Sequence, residues 1–401
     1  MINAKTLMVL GGLALLAVGA AVFVETRDAN RSAVLEQQGQ RLLPDLAKRL
    51  NDVAEVQVRS GEQTVTLTRR DNRWLIAERS NFPADPGKVR ALLLGIANLT
   101  IVEPKTSNAE LLSQLGLEDP TAAGAQSMLV TLKDGQGNAL ATVVFGKDRP
   151  GKGSLDRTER YARRADSDQA WLVEGRVTLD KRAPDWMSKV LTNLDNQRIK
   201  QVKIEHADGT EVLRLTKESS NTGDFQIVEP KTDKPVKAPF ELNGVANTFA
   251  KLTFDDVKPI AEVDFAKAPL YVATLETFDG LTLTLRTARV GEQTFGRLQA
   301  QSTAPTPALA ESAQDQSAGE KSDEVPPSAT TPAEATQAPS QTQDNTKAQP
   351  SPVDTAKEAA DLNARFADWA FQLPLYQVEG IGKRLKDLLE EPAPEPAPSD
   401  S

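Results

Sequence analysis

The side chains able to do chemistry in this chain are few and scattered. A single histidine, His206, stands beside an Ala207-Asp208-Gly209 turn, and the 401 residues include no cysteine. A Ser-His-Asp arrangement therefore hangs on one exposed ring, a metal site would need carboxylates alone, and thiol chemistry and disulfides are excluded. Carboxylates cluster at Asp255-Asp256 and between Glu110 and Glu118, without the spacing or partners that general acid/base work requires. Arg157, Arg160, Arg163 and Arg164 crowd one short segment and would suit an anion. Alternate residues of a strand face opposite ways, so they read more simply as a solvated face. No Walker-type loop or dinucleotide fingerprint occurs. The expectation is a protein without catalytic, cofactor-binding or metal-binding residues, with no cofactor and no enzymatic activity. Trp74, Trp171, Trp186 and Trp369 are read as rings that plug cores.

Composition agrees with a folded chain: 39% of residues are hydrophobic, 26% are charged, and the net charge is -9. The acidic balance argues against nucleic acid as a partner. Residues 7–24 (LMVLGGLALLAVGAAVFV) are 18 consecutive residues without a charge. At about 1.5 Å per residue they span roughly 27 Å, close to the hydrocarbon thickness of a bilayer. Lys5 precedes this run, while Glu25, Arg27 and Asp28 follow it. The positive-inside bias then predicts a single-pass inner-membrane anchor, its short N-terminal end in the cytoplasm and the bulk in the periplasm. The competing reading is a cleaved signal peptide, for which Ala17, Gly19, Ala20 and Ala21 offer small residues.

The elements beyond the anchor fall into an α+β pattern that occurs twice. Residues 25–52 read as a linker and a short amphipathic helix carrying Leu42, Leu43, Leu46 and Leu50. From Val53 the chain alternates apolar and polar residues between turns at Ser60-Gly61 and Asp71-Asn72, predicting three antiparallel strands. PADPGKVRALLLGIANL predicts a helix with Asp85 as N-cap and Pro86 at its first position. A shorter helix is expected over 108–115, then strands in SMLVTLKDGQGNALATVVFG, ERYARRA and QAWLVEG. VAEVQV at Val53 recurs as IKQVKI at Ile199, and FQIVEP at Phe225 stands where WLIAE stands at Trp74. FELNGVANTFAKLTF supplies the second helix, and YQVEG at Tyr376 echoes WLVEG at Trp171.

The expected organisation is two tandem related domains of antiparallel sheet covered by helices, residues 53–198 and 199–390, the second carrying a disordered insertion at 302–355 rich in Pro, Ala, Ser, Thr and Gln. Residues 1–6 form the cytoplasmic end and 391–401 an acidic tail. The repeat also bears on residues 378–389 (VEGIGKRLKDLL), whose Gly-hydrophobic-Gly turn has the look of a phosphate-binding helix hairpin. In the first copy VEG runs into RVTLDKRAPDWMSKVL, so a strand end leading into a closing helix is the simpler reading.

LLPDL near Leu42, WLIAE, FPADPGKV at Phe82, LGLEDP at Leu115, FGK at Phe145 and TFDGLTLTL at Thr277 occur in an order that resembles the bacterial family called domain of unknown function 4340. The resemblance covers nearly all of the chain beyond the anchor, and the Pro-rich insertion departs from it. It implies a single-anchor envelope protein often found beside gliding-motility-type ABC permease components, and it carries over no catalytic residue. The expected function is that of a non-enzymatic, membrane-anchored accessory or adaptor protein associated with an ABC-type transport complex, with partner contacts centred on residues 185–201. The alternatives are a signal-cleaved periplasmic ligand-binding protein and an envelope glycan hydrolase, the latter without a carboxylate pair to nominate.

Overall fold

The computed structural model describes residues 36–149, 158–221, 223–303 and 354–390. The anchor, the N-terminal part of the linker, Arg157, most of the 302–355 insertion and the acidic tail lie outside the described residues. Among those described, no helix is long and apolar enough to cross a membrane.

A helical turn, α1 (Leu46–Arg49), buries Leu46 and leads into the first sheet. It is shorter than the leucine pattern predicts, because Leu50–Asp52 tightens into a 3-10 turn. Strands β1 (Glu55–Ser60), β2 (Gln63–Arg70) and β3 (Arg73–Ile76) then form the predicted hairpins. Asp71 and Asn72, with φ of 48° and 60°, close the β2–β3 turn in the two left-handed conformations whose twist matches the flanking strands. A two-residue strand, β4 (Phe82–Pro83), adds to β3. Helix α2 (Pro86–Ala97) follows, and the Asp85 carboxylate accepts hydrogen bonds from the amides of Gly87 at 2.8 Å and Lys88 at 3.3 Å. Its buried face is Val89, Leu92, Leu93 and Ile96, the spacing of one helical stripe. Gly95 admits the backbone of the next connection, since a Cβ there would meet the Arg176 carbonyl oxygen at 2.1 Å.

The helix carries the chain to the far edge of the sheet, where β5 (Thr100–Pro104) lies. A 3-10 turn at Ala109–Leu115, ended by Gly116 at φ 68°, covers the opposite face, and β6 (Met128–Lys133), β7 (Ala139–Arg149), β8 (Thr158–Arg164) and β9 (Ala170–Gly175) return as a meander. The order is β4-β3-β2-β1-β6-β7-β8-β9-β5, with every paired register antiparallel.

The second sheet repeats this plan. It comprises β10 (Ile199–His206), β11 (Val212–Thr216), β12 (Gln226–Glu229), β13 (Asp256–Pro259), β14 (Pro269–Thr277), β15 (Leu281–Val290), β16 (Gln293–Ser302) and β17 (Trp369–Gln372), ordered β12-β11-β10-β14-β15-β16-β17-β13. Helix α3 (Pro239–Ala250) makes the crossing that α2 makes in the first sheet. Among the described residues β4 has no counterpart in the second sheet. Residues 235–237 occupy the equivalent place in the chain, but they pair with 388–390 instead of with β12. Helix α4 (Thr355–Phe366) lies against β16, and α5 (Leu375–Ile381) and α6 (Leu385–Leu388) close the fold. The fold is α+β, two antiparallel sheets with helices on them, and the main faces of both sheets contribute to one continuous core.

Three expectations need correction. Tyr376 does not echo Trp171: it stands in α5, because Pro374 ends the strand and starts the helix. The positional counterpart of Trp171, paired with Pro104 on the outer strand, is Trp369, paired with Pro259. No closing helix follows Gly175 either. Residues 176–195 form a strap whose only helical turn is the 3-10 segment Ala183–Trp186. Finally, Trp171 and Trp186 are core rings, whereas Trp74 and Trp369 are half-buried at its margin.

Candidate functional site

Several of the sequence-level site candidates are engaged in holding the fold. His206 is buried rather than exposed: it ends β10, its Nε2 lies 3.4 Å from the Lys383 carbonyl oxygen, and its ring meets Tyr271 edge-on. Arg160 forks onto the Asp148 carboxylate. Arg163 donates to the Leu117 carbonyl at 3.2 Å and Arg164 to the Leu42 carbonyl at 3.0 Å, so the arginines are not brought together around an anion. Glu118 accepts from the amide of Ser127 at 3.3 Å and from that of Gln126, which ties its own loop. Gly380 lies in the last turn of α5, and Gly382 caps it ahead of α6. Their missing side chains make room for Thr248 and for the Tyr271 ring, and the Leu385 amide that would face a phosphate donates to Glu211 at 2.6 Å. Among the described residues, no group of three or more His, Cys, Asp or Glu is placed to hold a metal ion.

What the fold does build is a junction between the two sheets. Phe82 of β4 enters the second sheet's territory, with its ring centroid 5.0 Å from Trp369, 5.9 Å from Phe254 and 6.3 Å from Phe371, in edge-to-face packing. Beside it Arg79 donates from Nε to Asp256 Oδ1 at 2.6 Å and from Nη2 to Oδ2 at 2.8 Å. That hydrogen-bonded fork holds the guanidinium pKa above its ordinary value.

The strap staples the same seam. Asp85 donates its amide to the Trp186 carbonyl at 2.7 Å, while Leu191 and Leu194 donate to the carbonyls of Leu252 and Ala250, each at 2.9 Å. Burial pushes the Asp185 carboxyl up, but Arg182 and Lys189 outweigh it and hold the group below its ordinary range. Within residues 185–201, the segment expected to meet a partner, Trp186, Met187, Leu191 and Leu194 are buried in the seam, while Ser188, Val190, Asn193, Asp195, Gln197 and Lys200 are exposed.

Two hollows lie along the seam. One, about 360 Å³, lies against the Arg79–Asp256 pair, Lys181 and Arg182. The other is a groove of about 520 Å³ between the β3–β4 edge, Ser188 of the strap, and the end of α4 with Trp369. Phe82, Phe366, Leu75 and Pro83 contribute to its apolar lining, and Arg73 and Arg365 are its charged members. These residues come from three separated stretches of chain, and no local spacing joins them.

A two-sheet α+β body with a groove at its internal junction defines an architectural class and no reaction. Residues 74–270 match the family described as Domain of unknown function (DUF4340), and over that span the chain belongs to it. The match runs from β3 into β14 and includes the strap, Phe82, Arg79 and Asp256, a narrower stretch than the resemblance suggested. No curated protein and no solved structure matches the chain.

Proposed function

We propose that this protein is a non-enzymatic accessory subunit that is anchored in the inner membrane by residues 7–24, displays its folded body in the periplasm, and docks a component of an ABC-type transport complex at the junction groove. The observation that carries this reading is the groove itself: an apolar recess of about 520 Å³ with two arginines, at a seam that the core, the strap and an ion pair hold in register. The surrounding chemistry supports it, since the histidine and the clustered arginines described above are engaged in holding the fold. An anchor adds to this by confining the search for a membrane partner to two dimensions.

Crosslinking in intact cells, detergent extraction and mass spectrometry of the affinity-purified protein test the proposal. Stoichiometric recovery of permease or ATPase subunits supports it, and recovery of the protein alone sinks it. The groove volume also falls within the range of small-molecule sites, which favours as second reading a signal-cleaved periplasmic binder. A mature N-terminus at Met1 in the membrane fraction supports the anchored subunit. One near Ala21 in the soluble fraction supports the binder.

A further inference from the structure

The groove has a charge signature that distinguishes it from the rest of the seam. Arg79 and Arg182 beside it are each forked onto a carboxylate. Arg73 and Arg365 are not: among the described residues neither guanidinium forms an ion pair or a hydrogen bond, although the chain as a whole carries a net charge of -9. Arg365 stacks over Phe366 at 4.6 Å, which occupies the flat face of the guanidinium and leaves its N–H edge for an oxyanion. The apolar floor between the two arginines is recessed, with Phe82 and Phe366 only 5% and 3% exposed. A flat bilayer surface does not reach such a floor, whereas an extended backbone lays side chains into it.

Resting on the partner-binding reading above, we propose that the groove takes an extended acidic segment of a partner protein, with carboxylates on Arg73 and Arg365 and an intervening apolar side chain against Leu75 and Trp369. Charge complementarity selects the occupant: a cationic segment would leave both arginines unpaired and bring like charges together.

The test uses the full-length chain in phosphatidylcholine nanodiscs, with tryptophan fluorescence as readout. The probes are an acetylated decapeptide of alternating Glu and Leu and the same peptide with Lys in place of Glu. The acidic peptide is expected to give a saturable change that disappears in Trp369→Phe, weakens about fivefold in each of Arg73→Ala and Arg365→Ala, and largely returns in the Arg→Lys variants. Absence of a saturable response, an equal response to the Lys peptide, or unchanged affinity in the alanine variants overturns the proposal. So does a Trp369 response to phosphatidylglycerol discs without peptide, which assigns the groove to lipid headgroups. This titration is independent of what copurifies from cells, so its failure and failure of the transport-complex reading are separable.

Discussion

Phe82 joins the two halves of the molecule. It sits in β4 of the first sheet, yet its ring packs on three aromatic rings from the second half, and it is almost fully buried. Truncation to Ala removes a large buried ring from the seam. Phe82→Ala is therefore expected to cost about 3 to 5 kcal/mol, read as a lowered urea midpoint at unchanged slope. Asp208 shows a different kind of residue effect. The Thr210 hydroxyl and then Arg384 hold its carboxyl at about 2, below its ordinary 3.8. A depressed carboxylate contributes stability that is complete above the unfolded value and is lost as pH falls through the folded one, so this share disappears between about pH 4 and 2. Asp208→Asn should flatten the fall of the denaturation midpoint in that window and leave the pH 5 to 7 region unchanged in slope.

At the scale of elements, legibility in the sequence followed the range of the interaction. The β1–β2–β3 hairpins and α2 with its Asp85 cap rest on alternation, turn residues and capping within a few positions, and all were readable. The strap differs from the expected helix because the amides of Leu191 and Leu194 are claimed by the carbonyls of Leu252 and Ala250 at the end of α3, about 60 residues away. Tyr376 was misaligned because a short apolar-VEG string is compatible with strand or helix, and Pro374, not local propensity, decides between them. The groove was illegible for the same reason: β3, β4, the strap and α4 meet only through tertiary contacts. The lack of a counterpart of β4 among the described residues has a consequence at this scale. β3 is covered by β4, whereas β12 ends its sheet with Val228 43% exposed. Amide exchange by mass spectrometry should therefore show faster exchange over β12 than over β3, and equal protection would contradict the open edge.

For the whole molecule, the continuous core predicts that the two sheets unfold together, and the chain's long excursion need not take part. Ser302 Oγ lies 2.8 Å from Thr355 Oγ1, and Thr303 donates its amide to the Gly280 carbonyl at 2.8 Å, so both ends of the segment between them are fixed side by side. Replacing residues 304–353 with a short Gly-Ser linker should shift the melting temperature by less than about 3 °C, because closure entropy changes only slowly with loop length. A larger drop in calorimetry would mean that the segment contributes to the fold.

The position of the outer strands bears on how the protein is made. Ile101 of β5 meets Val173 of β9, and Val257 of β13 meets Phe371 of β17. A ribosome adding 5 to 20 residues per second reaches the first partner after about 4 to 14 s and the second after about 6 to 23 s. Until then β13 has no strand to pair with, and the Arg79–Asp256 fork, whose arginine was synthesised far earlier, is one contact already available to hold it against the first sheet.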